Sequence, residues 1–260
     1  MTHDDLHGRT HMSADVSAGL EPLAHQVISV LCERQTVTSA GARQVALDYL
    51  VRACITPEPF DPAQVLDELR GYRLTLDGVI DLYIPQAAET LGLMWKSSDL
   101  DFAGVTVGAL RLQALLAEAA VVTPGSSPED GSALQALVIV PEGEQHFLGA
   151  CVLAAQLRRL GCGVALSISE KPRQITTRIV CDAPDMVLIS CARIAALETV
   201  SRTVKRIRSS AERMPVLALG GPLRGNADGI RDQTGVDLVT NTATDVVGFC
   251  TKRKKALSGR

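Results

Sequence analysis

The stretch ALQALVIVPEGEQHFLGA, residues 133–150, decides the fold of this 260-residue chain. It opens with an unbroken apolar run at 133–141, passes through a polar loop, and then takes up apolar residues at helical spacing. An apolar run without alternation is typical of a strand buried on both faces, and such strands belong to parallel sheets. The stretch therefore predicts a strand, a loop and a helix at about 146–160.

The same rhythm repeats towards the C-terminus. Four more apolar strands are predicted, at 164–169, 185–190, 214–221 and 236–240, and helices lie between them. This alternation predicts a Rossmann- or flavodoxin-like parallel sheet of five strands over residues 133–255, with helices on both faces. Ligands of such sheets bind beyond the carboxyl ends of the strands, so the loops that follow the strands are the candidate sites.

Upstream of the sheet domain the pattern has helical periods only. Residues 21–122 are predicted to form a helical-bundle cap, with Asp61 as the N-cap of one helix and Pro85 interrupting a longer one. TPGSSPEDGS, 123–132, is rich in Pro, Gly and Ser, which indicates a linker. Residues 1–20 are polar and aperiodic, so we expect a disordered tail.

The composition excludes several classes of protein. Apolar residues make up 46% of the chain, enough for sizeable cores. A net charge of −3 and an aromatic content of 3% speak against a protein that coats nucleic acid or stacks bases. The seven cysteines include no CxxC pair, which fits reduced thiols. With no signal peptide and no uninterrupted apolar span, we expect a cytoplasmic protein without membrane segments.

Three unusual loops fall at the predicted carboxyl ends: EGEQHFLG, SCAR and GGPLRG. None has the glycine spacing of a dinucleotide or P-loop site. The first loop offers Glu144 and His146, which are too few ligands for a bare zinc ion. A metal already held in a macrocycle needs only one axial ligand from the protein, and a nearby carboxylate can orient that imidazole.

E-x-H-x-x-G, formed by Glu144, His146 and Gly149, resembles the D-x-H-x-x-G signature of cobalamin-binding domains, with Glu in place of Asp. That family places a Ser-x-Leu after the third strand and a Gly-Gly after the fourth, where this chain has Ser190 and the pair Gly220-Gly221. The segment IPQAAETLGLMWKSSDLDFAGVT, with Trp95, is similar to the family's helical cap. The resemblance covers about residues 60–250.

The resemblance implies a role for each matching residue. His146 would be the axial cobalt ligand, and Glu144 would hydrogen-bond its other ring nitrogen. Gly149 would let the nucleotide tail of cobalamin lie along the first helix. Ser190 would hydrogen-bond the base of that tail, and Gly220-Gly221 would leave room for it. Trp95 would face the corrin ring. The resemblance leaves open whether the cofactor is hydroxocobalamin or adenosylcobalamin.

Simpler interpretations of these residues stay open. His146 could be a structural loop histidine, and Trp95 a core residue of the bundle. Ser190 could cap the helix after it, and the two glycines could form a tight turn. Cys191, beside Ser190, is best explained as a small packing residue.

The chain also departs from the family. Ala192 replaces the usual Leu, and Ala196 stands where many methionine-synthase-like members carry a Ser that extends the acid–histidine relay. Val105 and Thr106 stand where light-sensing cobalamin repressors have a Glu-His pair. A methyl-transfer or mutase domain is not recognisable in the sequence. We therefore expect a binding protein rather than an enzyme.

The organisation most resembles the AerR/PpaA family of corrinoid-responsive antirepressors. Membership implies a transcriptional sensor of photosynthesis or tetrapyrrole genes that acts through a repressor of the CrtJ/PpsR type. Two alternatives use the same His146: a corrinoid carrier of a methyltransferase system, and a haem sensor.

Two basic segments lie outside these motifs: RTVKRIRSSAER at 202–213 and TKRKK at 251–255. A solvated helix face and a solubilising tail explain them most simply. Contact with the phosphates of DNA is the alternative, and it would show as a steep dependence of binding on salt.

Overall fold

The computed structural model describes residues 41, 43–122, 133–144, 147–211, 213–222 and 226–258. The chain divides into two compact units, Met1–Tyr49 and Leu50–Arg260. In the first unit the described residues are helical, and Gln44 Nε2 donates a hydrogen bond to Asp48 Oδ1 at 2.8 Å. The predicted tail 1–20 and linker 123–132 lie outside the described residues, and the division into cap, linker and sheet domain stays a prediction.

The upstream half of the described chain is helical, as predicted. Its elements are α1 (residues 43–55), α2 (Pro62–Gly71), α3 (Leu76–Gly78), a π-helical turn (Val79–Tyr83), α4 (Ile84–Lys96) and α5 (Phe102–Val122). Asp61 is the N-cap of α2, because its carboxylate accepts the backbone N–H groups of Ala63 and Gln64. Asp101 does the same for Gly104 at the start of α5, at 2.7 Å.

Pro85 does not interrupt the helix, contrary to the sequence expectation. It is the second residue of α4, and the π-helical turn Val79–Tyr83 comes directly before it. Proline lacks the backbone N–H of an α-helical bond and clashes with the carbonyl four residues earlier. A wider turn at that place moves the carbonyl away, so the chain stays helical through the proline.

Helix α5 is the core helix of the cap. By length and composition alone, Phe102–Val121 could span a membrane, which is weak evidence because core helices of soluble proteins pass the same test. α5 packs against α2, α4 and α6 and buries Leu112 and Leu115 completely.

The downstream half forms a five-stranded sheet in the order β2-β1-β3-β4-β5, with all four pairings parallel. The strands are β1 (Gln135–Val140), β2 (Gly163–Ile168), β3 (Met186–Ser190), β4 (Val216–Gly220) and β5 (Leu238–Val239). The strand order reverses between β1 and β3, so the loops that leave these two strands are neighbours. β5 is shorter than the predicted 236–240, and just before it the Asp237 carboxylate accepts the N–H of Leu217 at 2.8 Å.

Helices cover both faces of the sheet. They are α6 (Leu148–Arg159), α7 (Pro172–Asp182), α8 (Leu197–Ser210), α9 (Ala227–Thr234) and α10 (Ala243–Ser258), and a 3-10 turn, Ile194–Ala196, precedes α8. One apolar core lies between the sheet and α7, α8 and α9, and a second lies between the sheet and α6 and α10. This is the predicted helical region followed by a doubly covered parallel sheet.

A polar cluster joins the cap to α6. Arg159 forms ion pairs with Asp77, at 2.6 Å, and with Asp81, and Gln156 Nε2 also donates to Asp81 Oδ1 at 3.0 Å. The Arg159 side chain is only 16% exposed, so it is held by contacts on most sides. We call Asp77, Asp81, Gln156 and Arg159 the cap contact.

Candidate cofactor-binding edge

The loop after β1 turns sharply at the carboxyl edge of the sheet. Glu144 N donates to the carbonyl of Pro141 at 3.1 Å, and Gly143 between them has φ +81°, a conformation that favours glycine. The turn brings the Glu144 side chain inward, where it is 2% exposed. His146 and Gln145 lie outside the described residues, so the role of His146 stays a prediction.

Glu144 connects the loop after β1 to the loop after β3. Its Oε2 accepts the backbone N–H of Ala192 at 3.1 Å and lies 3.9 Å from Nε of Arg193. Arg193 in turn donates from Nη2 to the carbonyl of Gly143 at 2.8 Å. A buried carboxylate is costly unless it is paired and hydrogen-bonded, and these contacts supply both. The two loops are therefore held together as one unit.

Arg193 is the residue of this edge to which sequence reasoning gave no role. The sequence did place a cation three positions after Ser190. Because β1 and β3 are neighbours in the sheet, the loop of that cation lies beside the loop of Glu144. Ala192, which departs from the family pattern, contributes through its backbone N–H. A larger side chain at that position is not needed for this contact.

Ser190 and Gly220 are register partners at the ends of β3 and β4. Met186 and Leu188 belong to the core under α6 and α10, so Ser190, two residues further along, faces the same side. Ser190 is half-buried. It caps no helix, because the residue before α8 is Ala196 and the 3-10 turn before it starts after Arg193.

The Gly220-Gly221 pair is required by the packing of the loops themselves. A Cβ on Gly220 would lie 2.8 Å from the carbonyl oxygen of Thr240, and one on Gly221 would collide with the carbonyl oxygen of Cys191. Gly221 also has φ +136° and donates its N–H to Asn241 Oδ1 at 2.7 Å. Close packing at a tight turn therefore explains both glycines. That they also leave room for the cofactor tail stays a prediction.

Gly149 lies in the first turn of α6 and is exposed, and a Cβ there would meet nothing within 4 Å. The open position at Gly149 and the half-buried hydroxyl of Ser190 both belong to the α6 side of the sheet edge. This donor set and cradle fit the tail of a large nucleotide-bearing cofactor.

Trp95 is a surface residue of the cap. It is 52% exposed at the end of α4, so the core interpretation is wrong. Phe102, at the start of α5, is 69% exposed, and Leu93 is 59% exposed. Phe102 lies seven residues after Trp95, at the start of the next helix.

The cysteines near this edge are packing residues. Cys191 is buried, and burial, with the nearby Glu144 as a smaller cause, raises the pKa of its thiol. Its Sγ donates to the carbonyl of Arg193 at 3.2 Å, which confirms the packing interpretation. No group of three or more His, Cys, Asp or Glu side chains suited to a metal ion occurs among the described residues.

Comparison with known proteins identifies the edge. Residues 134–248 match the family model described as the B12 binding domain. A Rhodobacter capsulatus protein, described as an uncharacterized 20.5 kDa protein in the bchF-crtJ intergenic region, is 31% identical over 183 residues, which are 70% of this chain and 95% of the relative. The chain belongs to the family of cobalamin-binding domain proteins. The family description names a binding function, in agreement with the expectation of a binding protein rather than an enzyme.

The fold of this cobalamin-binding domain protein agrees with that of a solved corrinoid protein. The monomethylamine corrinoid protein of Methanosarcina barkeri has a TM-score of 0.59 at 13% identity, with 80% of this chain and 95% of that chain covered. A cobalamin-binding protein from Desulfitobacterium hafniense covers 79% of this chain and 97% of its own, at 17% identity and a TM-score of 0.42. The cofactor prediction is confirmed at the level of cobalamin, and no finding supports haem.

Proposed function

We propose that the protein is a cytoplasmic cobalamin sensor that acts as an antirepressor of photosynthesis or tetrapyrrole genes, with His146 as the axial ligand of cobalt. The partner would be a repressor of the CrtJ/PpsR type. The observation that carries the regulatory part is the Rhodobacter capsulatus relative, whose description places it between bchF and crtJ. The observation that carries the cofactor part is the match to the B12 binding domain.

Bound cobalamin would supply a cobalt ion, and His146 would hold that ion as a protein ligand. His146 suits that task because it follows Glu144 by two residues, and Glu144 is itself fixed by the N–H of Ala192. The buried contacts of Glu144 anchor the chain two residues before the histidine. This anchoring lowers the conformational entropy that is lost when the histidine binds the cofactor. Ser190 and Gly220, side by side on the α6 face, suit the tail of the cofactor.

Helix α6 connects the cofactor loop to the cap. Gly149 lies in its first turn, while Gln156 and Arg159 lie in its last two and hold Asp81 of the cap. The ten residue steps from Gly149 to Arg159 span about 15 Å of α-helix. If α6 moves as a rigid rod, a shift at the cofactor-binding edge also moves the cap contact. A ligand with different affinity for two positions of the cap shifts the balance between them. This shift would expose or hide the surface that engages the repressor.

The cofactor part is tested with the visible spectrum of the purified protein after mixing with hydroxocobalamin and gel filtration. We expect retained cobalamin with a shifted spectrum, and loss of the shift in His146→Ala but not in His25→Ala. Equal retention and an equal spectrum in His146→Ala would contradict the axial role. A parallel mixture with haem should give no retained Soret band.

The regulatory part is tested with a CrtJ/PpsR-type repressor bound to labelled operator DNA. Cobalamin-loaded protein should lower the affinity of the repressor for the DNA, while the unloaded protein and His146→Ala should have little effect. An effect that does not depend on cobalamin would contradict the sensor. Transfer of the methyl group from methylcobalamin-loaded protein to an acceptor in a methyltransferase extract would identify a corrinoid carrier in its place.

A further inference from the structure

The two basic segments of the chain meet at the amino edge of the sheet, opposite the cofactor-binding edge. α8 covers one face of the sheet and α10 covers the other, so they belong to different cores. Their C-terminal ends nevertheless reach the same edge, where Asp185 precedes β3 and Asp237 precedes β5. Cations from both segments bind these two aspartates.

Asp185 is a buried carboxylate with two cations. Its side chain is 8% exposed, and its Oδ2 accepts the N–H of Gln135 at 2.9 Å. Its Oδ1 lies 3.0 Å from Nη2 of Arg213, which follows α8, and 3.3 Å from Nζ of Lys254 in α10. One cation would neutralise the carboxylate, so the second leaves a positive charge at the surface.

Asp237 repeats the arrangement. Its Oδ2 accepts the N–H of Leu217 at 2.8 Å, its Oδ1 lies 2.9 Å from Nη2 of Arg208, and Nη1 of Arg253 lies 3.5 Å from Oδ2. Arg208 also donates to the carbonyl of Gly235 at the end of α9. Here again two cations from α8 and α10 share one aspartate.

We call Arg208, Arg213, Arg253 and Lys254 the amino-edge basic surface. Their side chains are 37%, 64%, 34% and 45% exposed, so each keeps part of its charged group in solvent. Exposed cations extend this surface along the outer sides of α8 and α10: Arg202, Lys205, Arg206, Lys252 and Lys255. The described residues offer none of these five a carboxylate at ion-pair distance.

We infer that the amino-edge basic surface binds the phosphate backbone of double-stranded DNA. No large apolar side chain is exposed between Leu197 and Ser210, so α8 offers no apolar anchor for a protein partner. Protein interfaces have an apolar centre and few lysines, whereas DNA interfaces are polar and strongly positive. Arginine, the commonest cation here, matches phosphate geometry with its planar fork of donors.

The location separates this surface from the cofactor. It lies at the amino ends of the strands, while Glu144, Ser190 and Gly220 lie at the carboxyl ends. DNA and cobalamin can therefore be bound at the same time. Contacts with phosphate carry no sequence information, so the binding is independent of sequence. The inference does not rest on cobalamin binding, and His146→Ala should leave it unchanged.

The test is fluorescence anisotropy of the full chain with short labelled DNA duplexes of two unrelated sequences, titrated over a range of salt concentrations. The variant Arg213→Ala/Arg253→Ala removes two cations but leaves Lys254 on Asp185 and Arg208 on Asp237, so each aspartate keeps a partner. The control Arg70→Ala/Arg173→Ala removes the same charge from exposed positions in α2 and α7.

The unmodified protein should bind both duplexes equally, and the slope of log affinity against log salt should become shallower by about 2 in the first variant. The control variant should keep the original slope. An unchanged affinity and slope in a folded Arg213→Ala/Arg253→Ala variant would overturn the inference. So would binding of poly-glutamate but not DNA at the same salt, since that result would indicate an acidic protein partner.

Discussion

Glu144 shows what a single side chain does at the cofactor-binding edge. Its carboxylate is buried, accepts the N–H of Ala192 and lies beside Arg193, so it fixes two loops at once. Glu144→Ala leaves the N–H of Ala192 without its acceptor, which costs roughly 1–3 kcal/mol. We expect cobalamin binding to weaken about tenfold, as measured by titration of the visible spectrum.

Two variants make this prediction specific. Glu144→Gln keeps an oxygen acceptor for Ala192 but loses the charge opposite Arg193, so its affinity should lie between those of the unmodified protein and Glu144→Ala. Glu142 is exposed in the same turn, and Glu142→Ala should bind normally. Equal weakening by the substitutions at 142 and 144 would show that the buried contacts are not the cause.

The thiols of this protein differ in accessibility to water. Burial raises the pKa of the Cys54 thiol to about 12, against a smaller lowering effect of Arg111. Burial also raises the pKa of four other thiols: Cys151, Cys162, Cys191 and Cys250. Because the thiolate is the reactive species, only the exposed Cys181 should react quickly with a disulfide reagent near pH 8 in a Cys32→Ser background. Cys181→Ser should abolish the fast phase, and a fast phase that survives would contradict these burial assignments.

At the residue scale the sequence identified the part of the site that belongs to motifs. Glu144, Ser190 and Gly220 meet at one edge because the loops of adjacent parallel strands must meet there. The role of Arg193 could not be found in this way, because it depends on a side-chain contact with the carbonyl of Gly143. The sequence also gave no sign of why position 221 must be glycine. A Cβ there would collide with the carbonyl oxygen of Cys191, which is distant in sequence.

Arg111 connects two helices of the cap. Its guanidinium, in α5, donates to the carbonyl oxygens of Ala53, Cys54, Thr56 and Glu58 at 2.5–3.4 Å, and lies 5.4 Å from the centre of the Phe60 ring. The last carbonyls of a helix have no partners within that helix, so Arg111 satisfies the end of α1. Arg111→Met should lower the free energy of unfolding by about 3 kcal/mol in urea denaturation.

Arg111→Lys separates geometry from charge. An ammonium group is a compact point charge and cannot reach carbonyls that the planar guanidinium spans, so we expect about half the loss. Arg70→Met, at an exposed position of α2, should change stability by less than about 0.5 kcal/mol. If Arg111→Met cost no more than Arg70→Met, the end of α1 would not depend on this side chain.

At the element scale the periodic patterns predicted helices and strands well, since each is local. The continuous apolar runs became β1, β3 and β4 with small shifts at their ends. Pro85 was misleading because a π-helical turn, which no periodicity reveals, carries the helix past it. β5 covers only Leu238–Val239, although the backbone N–H groups of Asp237 and Thr240 also donate to carbonyls of β4 on either side of it.

At the scale of the whole molecule the cap contact decides how firmly the helical region is held on α6. The side chains of Arg159 and Asp81 are 16% and 43% exposed, whereas those of Arg70 and Asp67 within α2 are 43% and 73% exposed. Solvent-exposed ion pairs contribute little to the free energy of unfolding. Partial burial strengthens the attraction between the two charges because it lowers the effective dielectric constant. A double-mutant cycle of Arg159→Met and Asp81→Ala should give a coupling of about 1 kcal/mol in the free energy of unfolding, and the same cycle on Arg70 and Asp67 about 0.3 kcal/mol.

The same cycle, measured on cobalamin affinity, asks whether the cofactor senses the cap. Arg159 is ten residues from Gly149 on α6, so neither Arg159 nor Asp81 belongs to the cofactor-binding edge. A non-zero coupling in the binding free energy would mean that loading changes the cap contact, as the proposed sensor requires. Zero coupling in binding, together with clear coupling in stability, would mean that the cap contact is a fixed joint. The signal to a repressor would then have to leave from the loops themselves, where Arg193 is the exposed side chain beside the buried Glu144.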